Sequence, residues 1–138
     1  MAEVIIYTDG GSRNNPGKAG IGAVIYHHNE KKAEISEFLG VHTNNWAEYE
    51  GVAHALAKAK ELCLETLSTE VRMDSKLVVE QISRNWKIKE PTLRPQAEKV
   101  WKLMESFPDI TFVHIPREQN GEADALANAA MDAGELDK

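Results

Sequence analysis

The order of periodicities along this 138-residue chain leaves few folds open. Val4-Ile5-Ile6-Tyr7-Thr8 is a short β-branched and aromatic run ended by Asp9-Gly10-Gly11, which reads as a strand followed by a turn, with the loop continuing from Ser12 to Gly17. Gly20 to Tyr26 reads as a second strand, whose glycines suit a bulge or a close backbone approach. His28 to Lys32 is a polar hairpin turn, and Ala33 to Val41 is a third strand. Three adjacent strands with short links imply an antiparallel meander.

The period then switches. Asn44 or Asn45 is placed to cap a helix from Trp46 to Leu62, with Glu48 near its third position as in a capping box, and Val52, Leu56 and Ala59 or Cys63 on its apolar face. Leu67 to Met73 is a fourth strand ending at Asp74, and Ser75 caps a helix reaching Ile82-Ser83. Pro91 and Pro95 break the following segment, after which Gln96 to Phe107 forms a helix with Val100, Trp101 and Met104 inward. Ile110 to Ile115 is a fifth strand stopped by Pro116, Ala123 to Ala130 is a closing helix, and the residues from Gly134 read as a frayed tail. The predicted order βββαβααβα makes strands one, four and five parallel neighbours with the first strand central. The expected fold is α/β: one domain over residues 1–134 with a short tail at 135–138, built on a mixed five-stranded sheet with helices on both faces. Ligands in such sheets bind beyond the carboxyl ends of parallel strands, where Asp9 and Asp74 are expected.

Composition narrows the setting. An apolar fraction of 42% with 28% charged residues is ordinary for a globular protein. No apolar run approaches the roughly 20 residues that a membrane span needs, and the N-terminus lacks the basic region of a signal peptide, so the expected location is cytoplasmic. Cys63, the single cysteine, excludes an internal disulfide and reads as a buried, inert thiol. A formal charge of −6 argues against holding nucleic acid by bulk electrostatics. The stretch from Arg84 to Lys102 runs the other way, with Arg84, Lys87, Lys89, Arg94, Lys99 and Lys102 against Glu90 and Glu98, and Trp86 among them.

Asp9, Glu48, Asp74 and Asp124 all fall at predicted element boundaries. Singly, each has an ordinary reading as a turn residue, a cap or a first-turn acid. Gathered at one sheet edge they would repel one another and carry raised, coupled pKa values. Divalent cations relieve that repulsion, and hard oxygen ligands without a cysteine or histidine set favour Mg²⁺ or Mn²⁺ over Zn²⁺. Two such ions about 4 Å apart are a recurrent arrangement for phosphodiester hydrolysis.

YTDGGSRNNPGKAGIGAVIY, TNNWAEYEGVAHAL, RMDSKLVVEQI and PREQNGEADALANAA together resemble the signatures of the type I ribonuclease H family across essentially the whole chain. The resemblance implies sheet order 3-2-1-4-5 with strand two antiparallel. It also implies metal-dependent endonucleolytic cleavage of the RNA strand of RNA–DNA hybrids, leaving 5′-phosphate and 3′-hydroxyl ends. By resemblance the metal ligands are Asp9, Glu48, Asp74 and Asp124, holding two Mg²⁺ ions with Mn²⁺ as a substitute. Asp9 would bridge the ions, Glu48 and Asp74 would serve the one near the leaving group, and Asp124 the one near the nucleophilic water. The implied substrate contacts are Asn15 and Asn44 in the RNA minor groove, Thr43 on a DNA-strand phosphate, and Asn45 and Asn120. The amides around Gly10, Gly11 and Ser12 are expected to approach the substrate closely because glycine leaves no side chain in the way. Little base specificity is expected from contacts to sugar and backbone. Double-stranded RNA and RNA–DNA junctions are the alternative duplexes, and a monomer with no obligate protein partner is expected.

Two features depart from many members of that family. The loop Ile115 to Asp124 has no histidine, and Arg117 takes that place, as in some archaeal and related bacterial branches. Arginine can bind phosphate or steady a departing product but is a poor proton shuttle. His114, alternating with Phe112 in the fifth strand, is expected to be structural. The span from Asn85 to Pro95 is also too short for the basic protrusion of some relatives. Trp86 would then touch sugar in the DNA strand, and weaker binding than in protrusion-bearing relatives is expected.

Overall fold

The computed structural model describes residues 2–136. Its elements are β1 (Val4–Arg13), β2 (Gly17–His27), β3 (Glu30–His42), α1 (Asn44–Glu61), β4 (Thr69–Met73), α2 (Lys76–Ile82), α3 (Arg94–Met104), β5 (Ile110–His114) and α4 (Gly121–Leu136). Single 3₁₀ turns occupy Pro91–Leu93 and Arg117–Gln119. One sheet orders the strands 3-2-1-4-5. β2 runs antiparallel to both β1 and β3, while β1, β4 and β5 are parallel, as the helical crossovers required.

Helices α1, α2 and α3 enclose the main core on one face, where Ile6, Ile25, Val71 and Met73 lie under Tyr49, Val52, Leu56, Val78, Ile82 and Val100. Full burial of side chains this size contributes about 1.5–3 kcal/mol each, which offsets the cost of the acids held nearby. α4 covers the opposite face of β1, β2 and β3 with Ala123, Ala127, Ala130 and Met131. Among the described residues no helix is long and apolar enough to cross a membrane.

The largest departure from the sequence reading is at Asp9. Rather than ending at Thr8, β1 continues through the two glycines to Arg13, pairing Asp9 with Gly22 and Arg13 with Lys18. The turn falls later, at Asn14 (φ 62°), Asn15 and Pro16. Gly10 serves packing rather than a turn: a Cβ there would lie 2.4 Å from the carbonyl oxygen of Ala47. Its missing side chain lets α1 cross directly over β1. Gly22 does the same on the other face, where a Cβ would meet the carbonyl oxygen of Ala123 at 2.2 Å.

Other differences are local. The α1 N-cap is Thr43, whose Oγ1 accepts the Trp46 N–H at 3.2 Å, and not Asn44 or Asn45. Glu48 therefore sits in the second turn, beyond reach of a capping box. At the other end the chain turns back with Leu64 N–H donating to the Ala59 carbonyl (2.9 Å) and Cys63 N–H to that of Lys60 (3.0 Å). This places Cys63 in the left-handed region (φ 63°), exposed rather than buried. His114 is exposed on edge strand β5, so it does not share a packed face with Phe112. α3 starts at Arg94 with Pro95 inside its first turn, a position that needs no N–H donor. α4 extends to Leu136, so the expected tail is helical over 134–136, and its last two residues lie outside those described.

Candidate active site

Four elements bring acids to one cleft of about 360 Å³. Asp9 comes from the middle of β1 and Glu48 from α1, the two joined by the Gly10–Ala47 approach. Asp74 follows the last residue of β4, and Asp124 lies in the first turn of α4. One carboxylate oxygen from each of Asp9, Glu48 and Asp74 lies within 4.8 Å of the other two. Asp124 stands just outside this trio, within hydrogen-bonding reach of Asp9. Its Oδ1 is 3.8 Å from Nη2 of Arg117, whose side chain is 81% exposed at the rim.

Burial sets the electrostatics. Asp9 and Glu48 are each only 8% exposed. Desolvation, then the charge of Asp74 and the hydrogen bond with Asp124, push the Asp9 carboxyl up to about pH 7 in pKa, against a lowering by the Gly10 N–H that donates to Oδ1 at 2.9 Å. Glu48 is held well above the usual carboxylate range, first by burial and then by Asp9 and Asp74. Its Oε1 is buried with no hydrogen-bond partner among the described residues. An unpartnered buried carboxylate oxygen is costly, and a hard divalent cation is the group that fits it together with the neighbouring oxygens of Asp9 and Asp74.

The substrate-contact residues expected from the sequence divide into two groups. Asn15, Asn44 and Ser12 form a small lattice beside the acids. Asn44 N–H donates to Asn15 Oδ1 (2.9 Å), and Ser12 N–H (2.7 Å) and Oγ (3.1 Å) both donate to Asn44 Oδ1. Both side-chain oxygens are thereby occupied, leaving the two NH₂ groups as the available donors. Thr43 and Asn45 are exposed nearby. The amides of Gly10 and Ser12, expected to approach substrate, instead donate within the chain, to Asp9 and Asn44; Gly11 lines the cleft. Asn120 also differs from expectation, being 1% exposed. Its Nδ2 donates to the Thr8 carbonyl (2.9 Å) and lies 3.5 Å from Asp74 Oδ2, so it braces the acids from beneath. Trp86 is 44% exposed and lines a separate hollow that shares Asn45 with the acidic cleft. Within the basic stretch, Arg84 and Arg94 lie over the Trp101 ring at 3.8 and 5.4 Å.

Sequence reasoning missed Arg13 and Asn128, which complete the cleft wall. Asn128 Nδ2 donates to the Asp124 carbonyl (3.0 Å), and its Oδ1 accepts from Arg13 Nη2 (3.1 Å), which also meets Asp132 at 2.9 Å. The signal was available: Asn128 is four residues after Asp124 and shares its helix face.

Known proteins resemble this chain over most of its length. The Reverse transcriptase-like family profile matches residues 7–130. Ribonuclease H of Clostridium botulinum is 35% identical over 150 residues, covering 96% of this chain and 97% of that protein. The chain belongs to the ribonuclease H family. Among solved structures, the compost-derived LC11-RNase H1 in complex with RNA/DNA hybrid superposes on this ribonuclease H fold with TM-score 0.90 at 46% identity, covering 95% of this chain and 98% of that one. A bifunctional protein of Mycobacterium tuberculosis is 45% identical over 133 residues. The chain spans about a third of that relative's length, 36%, while the match takes in 95% of the chain itself.

Proposed function

We propose that this chain is a divalent-metal-dependent endonuclease of the type I ribonuclease H branch. It hydrolyses the RNA strand of RNA–DNA hybrids and leaves 5′-phosphate and 3′-hydroxyl ends. The observation that carries this reading is the convergence of Asp9, Glu48 and Asp74 within 4.8 Å, with one buried Glu48 oxygen unpartnered. Asp9, Glu48, Asp74 and Asp124 would hold the metal, Mg²⁺ with Mn²⁺ as substitute, and divalent ions bound there supply Lewis-acid charge for phosphodiester hydrolysis.

The remaining chemistry belongs to the chain. The outward NH₂ groups of Asn15 and Asn44 meet acceptors in a shallow RNA minor groove, where the 2′-hydroxyl separates RNA from DNA. Thr43 Oγ1 accepts at the helix cap and keeps its own proton to donate to a DNA-strand phosphate. Trp86 offers an exposed aromatic face to a sugar of that strand. Arg117 stands where a histidine would shuttle protons, and its permanent charge suits it to product phosphate release. The domain works as a monomer in the cytoplasm on this reading.

The test compares cleavage of a hybrid, a double-stranded RNA and a duplex with one embedded ribonucleotide, each in Mg²⁺ and in Mn²⁺. Hybrid cleavage that requires either ion and leaves 5′-phosphates is expected. Hybrid binding without cleavage in both ions would make this a binding module on a nuclease fold.

A further inference from the structure

Helix α4 meets the sheet by two kinds of contact. Its alanines lie on the glycines of β2: a Cβ added at Gly20 would stand 2.9 Å from that of Ala130, and one at Gly22 would meet Ala123 and Ala127. Apolar contact of this kind holds the helix down but is non-directional, so it fixes rotation and slide only weakly. Direction comes from a polar stripe. Asp124, Asn128 and Asp132 are spaced four residues apart and share one face of α4. Arg13 ends β1 on the same side of the strand as Asp9, and its Nη2 reaches both Asn128 Oδ1 (3.1 Å) and Asp132 Oδ1 (2.9 Å). Asn128 Nδ2 passes the contact on to the Asp124 carbonyl at 3.0 Å.

Asn128 is out of character with its neighbours. It stands in a run of strong helix formers, Ala125 to Ala130, where its own type weakens a helix interior. Both ends of its amide are nevertheless used. On the other side of Asp124, its N–H donates to the Asn120 carbonyl (3.0 Å), and Asn120 is tied to Thr8. Asp124 therefore hangs between two ties to β1, the strand that carries Asp9. We infer that Arg13 and Asn128 are positioning residues for Asp124, a strap that sets its distance from Asp9 and with it the metal affinity and turnover of the cleft. This inference rests on the metal-dependent reading of that cleft. A strap serving stability alone would be a poor one, because the Arg13 and Asp132 side chains are 34% and 64% exposed and exposed pairs contribute little.

The probe is Mn²⁺, its free concentration read by electron paramagnetic resonance. The protein is held in complex with a hybrid whose RNA strand carries 2′-fluoro in place of every 2′-hydroxyl. Kinetics on the ordinary hybrid run in parallel. Arg13→Gln and Asn128→Ala are each expected to weaken Mn²⁺ binding about tenfold, and to lower kcat about tenfold with KM within about twofold. The sign is diagnostic, because removing a cation beside four carboxylates would by charge alone tighten cation binding. Asn128→Ala should keep the melting temperature at or above that of the unaltered protein, alanine being the better helix former. Arg13→Lys retains a donor to Asn128 and should restore both readouts to within about twofold. The double variant Arg13→Gln, Asn128→Ala should lose no more than either single one. Unchanged or tighter Mn²⁺ binding, a loss confined to KM, or losses that multiply in the double variant would each overturn the inference. Normal cleavage by the unaltered protein beside indifferent variants sinks this inference alone, whereas an unaltered protein that neither binds Mn²⁺ nor cleaves brings down the nuclease reading with it.

Discussion

Glu48 and Glu50 lie two residues apart on the same helix, both nearly sealed from solvent at 8% and 6% exposure, and they have opposite chemistry. About 200° of helical rotation separates them, so Glu48 faces β1 and Glu50 faces α3. Glu50 is fully answered. Gln96 Nε2 donates to it at 3.0 Å, Lys99 meets the same oxygen, and His54 Nδ1 lies 3.4 Å away. Burial alone would raise its pKa, but the Lys99 and Gln96 hydrogen bonds outweigh burial and hold it below the usual value. Glu48 is raised by burial and by the neighbouring Asp9 and Asp74, against a lowering by the Gly10 N–H, and keeps one oxygen unpartnered. Burial of a carboxylate therefore does not mark a reactive site. A buried carboxylate that the fold declines to satisfy does.

Activity should break this symmetry most sharply. Glu48→Gln and Asp9→Asn are each expected to lower hybrid cleavage on the order of 10³-fold, with far-ultraviolet circular dichroism unchanged. Glu50→Gln should leave cleavage within about twofold, because one amide replaces an acid outside the cleft. An equal loss in both would mean that the α1–α3 network is part of the catalytic apparatus.

A subtler challenge leaves every acid in place. Gly10→Ala forces a methyl group against the Ala47 carbonyl, 2.4 Å away, and must push α1 and Glu48 off β1. We expect stability to fall by about 1–3 kcal/mol and cleavage to fall roughly 10²-fold, since displacements near 1 Å cost that much. Normal activity in this variant would show that the carboxylate spacing is not set by that contact.

Stability against pH gives the smallest and most discriminating signal. Asp9 has a folded pKa near 7 against 3.8 for the free side chain. Its contribution is complete below pH 4 and lost as pH rises through 7, when the folded state must hold the charge. In chelator, Asp9→Asn should therefore raise the melting temperature at pH 8 and do nothing at pH 4. Glu50 is shifted downward, so its contribution is present above its ordinary pKa and lost as pH falls through the folded value. Glu50→Gln should consequently destabilise at pH 8 and less in acid. Parallel slopes for the two variants, measured by differential scanning fluorimetry, would contradict the division drawn between the two glutamates.

The same contrast explains what the sequence disclosed. Strand order was readable because helical crossovers after β3 and β4 leave one economical arrangement, and the four acids were readable because motif resemblance does not depend on where a strand ends. Tertiary contacts were hidden. Gly10-Gly11 has the composition of a turn, and only the passage of α1 shows why those residues stay in the ladder. Asn44 looks like a helix cap, but its side chain is drawn to Ser12 across 32 residues of sequence, and Thr43 caps instead. Asn120 reads as a polar loop residue, and its burial follows from its hydrogen bond to Thr8, 112 residues earlier. Cys63 has an apolar pattern around it, yet it follows a helix end where the chain reverses.

The persistence of β1 through Asp9 bears on how the molecule fails. That strand is the centre of the sheet, bonded to β2 along its whole length, whereas β3 and β5 are edges. Local openings begin at edges and exposed loops. Amide exchange should therefore free β5, and the arginine-bearing turn after it, well before the Asp9 amide exchanges. A heated molecule would lose the Arg117 rim of the cleft while Asp9 still stood in register on β1.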